Sequence, residues 1–222
     1  MKLKLKYISF WVLAIVFISC ANEPIGHPGE IEETLHFTGL KCVGSGDYIV
    51  DTDNLLEDLV IPEDLPDSLD LSEFLPPIGN QGKQGSCGAW AVSYYMKSLQ
   101  ENLKLQEPLS PETTISTSPA YTYNQITQGN CGATTITQHL NILKEQGVCS
   151  LTAFPYTDAS CTLQPTDSIN KLAENAKISD YKALSGKNMV LEMKTLLVQK
   201  TPIIIGAYLS SNFGAVDEFG LV

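Results

Sequence analysis

The chain has 222 residues, an apolar fraction of 43% and a formal net charge of −11 at neutral pH. This length fits one large domain or two small ones, and the apolar fraction is ordinary for a globular protein. The 14 basic residues are all lysines and stand against 25 acidic residues, which argues against nucleic acid as a partner.

The first residues have the pattern of an export signal. Lysines precede an apolar run over residues 7–18, so residues 1–19 are interpreted as a signal peptide. The run ends at Ser19-Cys20, which resembles a bacterial lipobox. Cys20 is therefore predicted to be the lipid-modified N-terminus of a protein exported to the bacterial cell envelope and held to a membrane by its lipid. Cleavage elsewhere, or a retained anchor, remains open.

Residues 20–62 are interpreted as a tether or N-terminal extension. Prolines, glycines and acids are frequent over residues 21–34, a composition typical of a flexible linker. Residues 35–59 carry only short apolar patches between glycine-rich breaks. Cys42 lies in this stretch and is expected to be unpaired.

A glycine-rich turn leads into a predicted helix at Cys87. Residues 87–104 carry apolar side chains on more than one side, which indicates a helix buried between layers. The partial positive charge and N–H groups of a helix start favour a thiolate. Gln81 is placed to direct its amide to the same point, so that Gln81 and the Cys87 N–H form two donors for an oxyanion. The competing interpretation is a buried structural cysteine.

Further elements follow in the helical pattern. Ser110-Pro111 and Ser118-Pro119 each predict a helix start with an N-cap serine and proline in the first turn. A third helix over residues 136–146 ends at Gly147. Residues 189–198 predict an amphipathic helix, and residues 203–209 a short apolar strand.

The turn before the helix resembles the signature of the papain family of cysteine peptidases. Gly85, Ser86 and Cys87 match three of its five positions, while Gln84 replaces a structural cysteine and Gly88 replaces an aromatic residue. Gln81 matches the oxyanion glutamine of that family. The aromatic-Pro-Tyr sequence at residues 154–156 also follows the family's order.

The resemblance implies an α+β, papain-like fold over residues 63–222. Its helical left half includes a central helix starting at Cys87, and only the beginning of the right-hand β-barrel half is expected. The implied activity is peptide-bond hydrolysis by the Cys87 thiolate, without a cofactor, on a peptide or protein substrate. Gly132 and Ala133 are expected to line one wall of the cleft.

The partner histidine of the family is not in the expected place. The family's histidine and asparagine lie about 130–150 residues after the cysteine, a window that opens near residue 217 and contains neither residue. The chain is therefore expected to end before its base and to be inactive alone. A non-catalytic papain-like surface lipoprotein that binds peptides or a partner is the alternative. His139, inside the third helix, is interpreted as a helix-surface or partly buried side chain.

The remaining cysteines predict a disulfide. With Cys20 assigned to lipid and Cys87 to catalysis, three pairings remain open for the other four. Cys149–Cys161 is expected because the two flank the aromatic-Pro-Tyr loop, with Cys131–Cys161 as the second choice. No metal site is expected, since the sequence has no C-x-x-C pair and its histidines are scattered.

Overall fold

A computed structural model describes residues 59–105, 109–184 and 188–207. The predicted signal peptide, Cys20, most of the tether and Cys42 lie outside these residues, as does the chain from residue 208 onward. Within the described ranges, no helix has the length and apolar character needed to cross a membrane.

The helix that carries Cys87 is built from three consecutive pieces. They are α1 (Cys87–Ala89), a π-helical stretch (Trp90–Met96) and α2 (Lys97–Asn102). Buried side chains occur along all three pieces, as expected for a helix between layers. Wider π turns inside a helix are frequently found at functional sites.

Four further helices and two 3₁₀ turns complete the described secondary structure. They are α3 (Pro119–Thr127), α4 (Ile136–Glu145), α5 (Asp167–Ala173) and α6 (Met189–Val198), with 3₁₀ turns at Ser72–Phe74 and Glu174–Ala176.

Two of these helix starts are capped by side chains. Ser118 accepts a hydrogen bond from the Tyr121 N–H, as its sequence predicts. Thr135 and Gln138 form a reciprocal capping box at the start of α4. The helix start predicted at Ser110 is wrong, because the Ser110 carbonyl closes one turn with the N–H of Thr113 and of Thr114 and no helix follows.

The core lies where α3 and α4 pack against the π-helical stretch. Its fully buried members include Val92, Tyr121, Leu140 and Leu143. Burial of such side chains supplies about 1.5–3 kcal/mol each. This packing fixes the helix of Cys87 against the two helices that follow it in the chain.

The strand predicted over residues 203–209 is not seen in its described part, residues 203–207. The described residues form no sheet, and their single β-type pairing is an isolated bridge between Thr117 and Ser150. The regular structure of the described residues is therefore helical, and the expected strand is not seen in its described part.

Candidate active site

Cys87 is the first residue of α1 and is half-buried. It carries a thiol rather than a disulfide. The preceding Ser86 is fully buried, and its hydroxyl lies 2.6 Å from the Tyr156 hydroxyl instead of capping the helix. The side chain at the N-cap position therefore does not compete for the N–H groups around Cys87.

Gln81 lies in the same turn as Cys87. Its amide Nε2 donates to the Gln84 carbonyl at 3.3 Å, and the Ser86 N–H donates to that carbonyl at 2.8 Å. One carbonyl thus holds the Gln81 side chain and the backbone just before Cys87. This arrangement brings together the two residues that the sequence assigns to catalysis, and their catalytic roles remain predictions.

The aromatic-Pro-Tyr loop clamps this turn from the outside. The Tyr156 hydroxyl donates to the Gln81 carbonyl at 2.8 Å, and Asp158 accepts from the Lys83 N–H at 3.0 Å. Gly82 has a φ of +60°, and a β-carbon there would collide with the Asp158 carboxylate. The turn is therefore closely fitted to the loop over residues 156–158.

Tyrosines of the π-helical stretch hold the segment that leads into the turn. The Tyr94 hydroxyl donates to the Pro77 carbonyl at 2.7 Å, and the Tyr95 hydroxyl accepts from the Gly79 N–H at 3.0 Å. Gly79 also lies against the Trp90 ring, where a β-carbon would come within 2.0 Å. The segment is thus fixed before it reaches Gln81.

Gly132 and Ala133 are both exposed, as a substrate-contacting wall requires. The Gly132 carbonyl accepts from the Tyr123 hydroxyl at 2.9 Å, and a β-carbon on Gly132 would meet no described atom within 4 Å. Burial raises the pKa of Tyr123 to about 12, so its hydroxyl stays protonated and able to donate. The substrate-binding role of Gly132 and Ala133 remains a prediction.

The disulfide differs from the one expected. Cys131 is bonded to Cys161, with 5.6 Å between their Cα atoms, so the predicted Cys149–Cys161 bond is wrong and the second choice is confirmed. The reason is packing: Cys161 lies in a small cluster with Tyr123, whereas Cys149 faces the main core. Burial raises the pKa of the free Cys149 thiol to about 11.

His139 is completely buried, so its interpretation as a surface or partly buried side chain is wrong. Its Nε2 lies 2.8 Å from the Thr134 hydroxyl and its Nδ1 lies 2.9 Å from the Thr122 hydroxyl. Burial lowers the pKa of His139 to about 3, so the ring is neutral at neutral pH. Spacing could have shown this, because His139 follows Ile136 by one helical turn on the apolar face.

Two features of the site were missed from the sequence. One is the Tyr156 hydroxyl, which the aromatic-Pro-Tyr pattern could have indicated. The other is Gln84, which is buried, and whose side-chain amide has no hydrogen-bond partner among the described residues. Those residues also contain no cluster of His, Cys, Asp and Glu side chains arranged to hold a metal ion.

No curated protein matches the sequence. Among solved structures, xylellain, a cysteine protease from Xylella fastidiosa, is similar at 24% identity and a TM-score of 0.49, covering 60% of this chain and 53% of that one. A structure from a study of the mite allergens Blo t 1 and Der p 1 is similar at 18% identity and a TM-score of 0.47, covering 72% and 52%.

The chain therefore spans about half the length of these solved structures. A family model described as papain family cysteine protease matches residues 65–216, which includes Gln81, Cys87 and the 131–133 wall. With a match over more than half of its residues, this chain belongs to the papain family of cysteine proteases.

Proposed function

We propose that this chain carries the nucleophile and the oxyanion donors of a cysteine peptidase. One observation supports this most directly: Cys87 presents a half-buried thiol at the start of a buried helix, in the turn that also holds Gln81. A helix start favours the thiolate, which is the reactive form of the side chain. The family match over this segment supports the same assignment.

In the proposed reaction, the Cys87 sulfur attacks the carbonyl carbon of a peptide bond and forms a C–S bond. The electron pair of the carbonyl moves to its oxygen, which becomes an oxyanion. The Gln81 amide and the Cys87 N–H donate to this oxyanion. The carbonyl re-forms as the C–N bond breaks, and the leaving amine takes a proton from solvent, equal to the one released when the thiolate formed. Water then attacks the thioester, so that its hydroxyl goes to the acyl carbon, the C–S bond breaks and its proton returns to solvent or sulfur. No cofactor takes part.

The exposed wall at Gly132 and Ala133 is proposed to contact the substrate backbone. It is held by the Tyr123 hydroxyl and by the Cys131–Cys161 disulfide, so its position is set by covalent and hydrogen-bonded contacts. Because Gly132 has no side chain, a peptide has room to approach the backbone closely. The substrate class is accordingly a peptide or protein chain.

His139 does not serve as the base in this conformation. Both ring nitrogens are engaged by threonine hydroxyls, the ring is inaccessible to water, and its pKa is about 3. A general base needs a pKa near the working pH and contact with the proton it removes. We therefore expect peptide hydrolysis by this chain to need a base other than His139, and to stay at a background rate where none is available.

The test measures acylation and turnover separately. An activated ester such as p-nitrophenyl acetate should acylate Cys87, detected by mass spectrometry of the Cys87 peptide, and Cys87→Ala should remove that product. Peptide hydrolysis should rise when a downstream segment carrying a papain-type histidine and asparagine is supplied in cis. Acyl transfer that persists in Cys87→Ala contradicts the nucleophile assignment. Peptide binding with an unreactive Cys87 favours the binding-module alternative.

We further propose that Cys20 is lipid-modified and holds the protein at the bacterial cell envelope, with the peptidase domain facing outward. The support is the sequence alone, in which a basic start and an apolar run end at Ser19-Cys20. Cys20→Ala should abolish incorporation of labelled fatty acid and leave unprocessed precursor. Unchanged labelling in that variant contradicts the proposal.

A further inference from the structure

We infer that Tyr156 is a positioning residue for the oxyanion site, because its hydroxyl joins the Gln81 backbone to the Ser86 side chain. This inference rests on the proposed function of Gln81 and Cys87. It assigns to Tyr156 the task of fixing the separation between the Gln81 amide and the Cys87 N–H. Tyr156 contacts the turn on both sides of Gln84 without needing to touch the substrate.

The protons of this contact can be assigned. A phenol has one proton, and the Gln81 carbonyl, 2.8 Å away, can only accept it. The Ser86 hydroxyl, 2.6 Å from the same phenol oxygen, must therefore donate to Tyr156. The direction of donation runs from Ser86 through Tyr156 to Gln81.

The consequence is a closed ring of contacts around the turn. The backbone from Gln81 to Ser86 forms one side of this ring. The Tyr156 hydroxyl, hydrogen-bonded to the Gln81 carbonyl and the Ser86 hydroxyl, completes it. Inside, the Gln84 carbonyl accepts from both the Gln81 amide and the Ser86 N–H. A shift at one end of the turn is therefore transmitted to the other end.

The Tyr156 ring is itself held in place. It packs edge-to-face on the Trp90 ring with 4.9 Å between ring centroids, and Trp90 belongs to the helix that Cys87 begins. Two residues further on, Asp158 accepts from the Lys83 N–H in the middle of the turn. Tyr156 is thus packed against the same helix that positions the Cys87 thiol.

The test compares two reactions of the same sulfur in the 222-residue chain. With p-nitrophenyl acetate, the Cys87 thiolate forms a C–S bond, an oxyanion develops, and p-nitrophenolate leaves with the electron pair of the broken C–O bond. With iodoacetamide, the thiolate displaces iodide and no oxyanion forms. Both rates depend on the same thiolate fraction of Cys87, which cancels in their ratio. The ratio of the ester rate to the iodoacetamide rate therefore reports oxyanion stabilisation.

Tyr156→Phe keeps the ring and removes the hydroxyl. Because a misplacement of catalytic groups by about 1 Å can lower a rate by roughly a hundredfold, we expect a partial release of Gln81 to lower the ester-to-iodoacetamide ratio roughly tenfold. Ser86→Ala removes the hydrogen bond from Ser86 to Tyr156 and should lower the ratio roughly threefold, since the hydrogen bond from Tyr156 to the Gln81 carbonyl remains. It also serves as the second variant if Tyr156→Phe does not fold.

Tyr121→Phe is the matched control. It also removes a tyrosine hydroxyl that donates to a polar group, the Asn170 side chain at 2.9 Å, and the hydrogen bonds of this hydroxyl lie outside residues 81–86. Its ratio should stay within about twofold of the wild type, while its thermal stability should fall as much as that of Tyr156→Phe. An equal fall of the ratio in both variants would show a general structural effect and overturn the inference.

Gln81→Ala separates this inference from the proposed function. It should lower the ratio at least as much as Tyr156→Phe, and the double variant should fall little further, because both act on one donor. A normal ratio in Tyr156→Phe with a low ratio in Gln81→Ala overturns the inference alone. A normal ratio in Gln81→Ala overturns the proposed oxyanion role, and the inference with it.

Discussion

The imidazole of His139 lies directly against Gly88, the residue after the proposed nucleophile. A β-carbon placed on Gly88 would be 3.2 Å from two ring atoms and 3.4 Å from the Thr134 hydroxyl. The papain signature has an aromatic residue at this position, and here a glycine leaves the space to a histidine from α4. The departure from the signature at residue 88 is therefore linked to the burial of His139.

This contact predicts that Gly88→Ala is destabilising. The His139 ring is fully enclosed and hydrogen-bonded at both nitrogens, so it has little freedom to move away. Inserting a methyl group into such a packed site costs roughly 1–3 kcal/mol, more than the gain from replacing glycine within a helix. Urea unfolding of the purified variant measures the difference in unfolding free energy.

Gly132→Ala is the control for that measurement. A β-carbon at this exposed glycine meets no described atom within 4 Å, so its effect on stability should be within about 0.5 kcal/mol. An unchanged or raised stability of Gly88→Ala would mean that the His139 ring gives way to the methyl group.

The burial of His139 also predicts a pH dependence of stability. Its pKa is about 3 in the folded chain, against about 6.5 unfolded, so below pH 6.5 the unfolded state binds a proton that the folded state does not. Stability is therefore unaffected by this group above pH 6.5 and is lost as pH falls towards 3. Between pH 6.5 and 5 the expected loss is roughly 1.5 kcal/mol.

His139→Gln isolates this contribution, because glutamine can hydrogen-bond to threonine but does not titrate. The variant should show a flatter stability profile between pH 6.5 and 5, a range above the ordinary pKa values of carboxyl groups. Chemical unfolding at several pH values measures both profiles. Parallel profiles in the two proteins would contradict a neutral, buried His139.

The sequence could predict those parts of the site that depend on local patterns. A helix starting at Cys87, the N-cap at Ser118 and the shared turn of Gln81 and Cys87 follow from spacing, turn chemistry and signature residues. The family was recognised from the same turn, and the match over residues 65–216 confirms it.

Two of the errors concern contacts between distant segments. The bonding of Cys131 to Cys161 depends on how the loop after α3 packs against the chain beyond Tyr156, which spacing alone does not fix. The hydroxyl contacts of Tyr156 join residues about 70 positions apart in the chain. The turn at Ser110 shows that a local capping signal forms no helix when the following residues do not continue it.

The two described cysteines that form no disulfide are predicted to react very differently. Cys149 is 2% exposed and burial raises its pKa to about 11, so at pH 8 it is almost wholly a thiol. Cys87 is partly exposed at a helix start, where the thiolate is favoured. We expect iodoacetamide to modify Cys87 at least roughly a hundredfold faster than Cys149.

Peptide-resolved mass spectrometry of the native, non-reduced protein measures both rates in one sample. The same measurement in a denaturant provides the control, since unfolding should make the two rates similar. Comparable modification of Cys149 in the native protein would contradict its position in the core.

The buried amide of Gln84 predicts that Gln84→Met raises stability. Gln84 is 4% exposed, and both polar atoms of its side chain lack a hydrogen-bond partner among the described residues. An unsatisfied buried amide costs about 1–3 kcal/mol, whereas methionine has a similar shape and needs no partner. The backbone carbonyl that holds Gln81 is unchanged, so the expected gain is about 1 kcal/mol in unfolding free energy without loss of acyl transfer at Cys87.

Gln125→Met is the matched control: the partly buried Gln125 amide donates to the Tyr121 carbonyl at 2.8 Å, and its loss should lower stability by about 0.5–1 kcal/mol. A lower stability of Gln84→Met would show that the Gln84 amide has a hydrogen-bond partner, which contradicts the prediction. If acyl transfer at Cys87 also became slower, that partner would lie in the turn over residues 81–86.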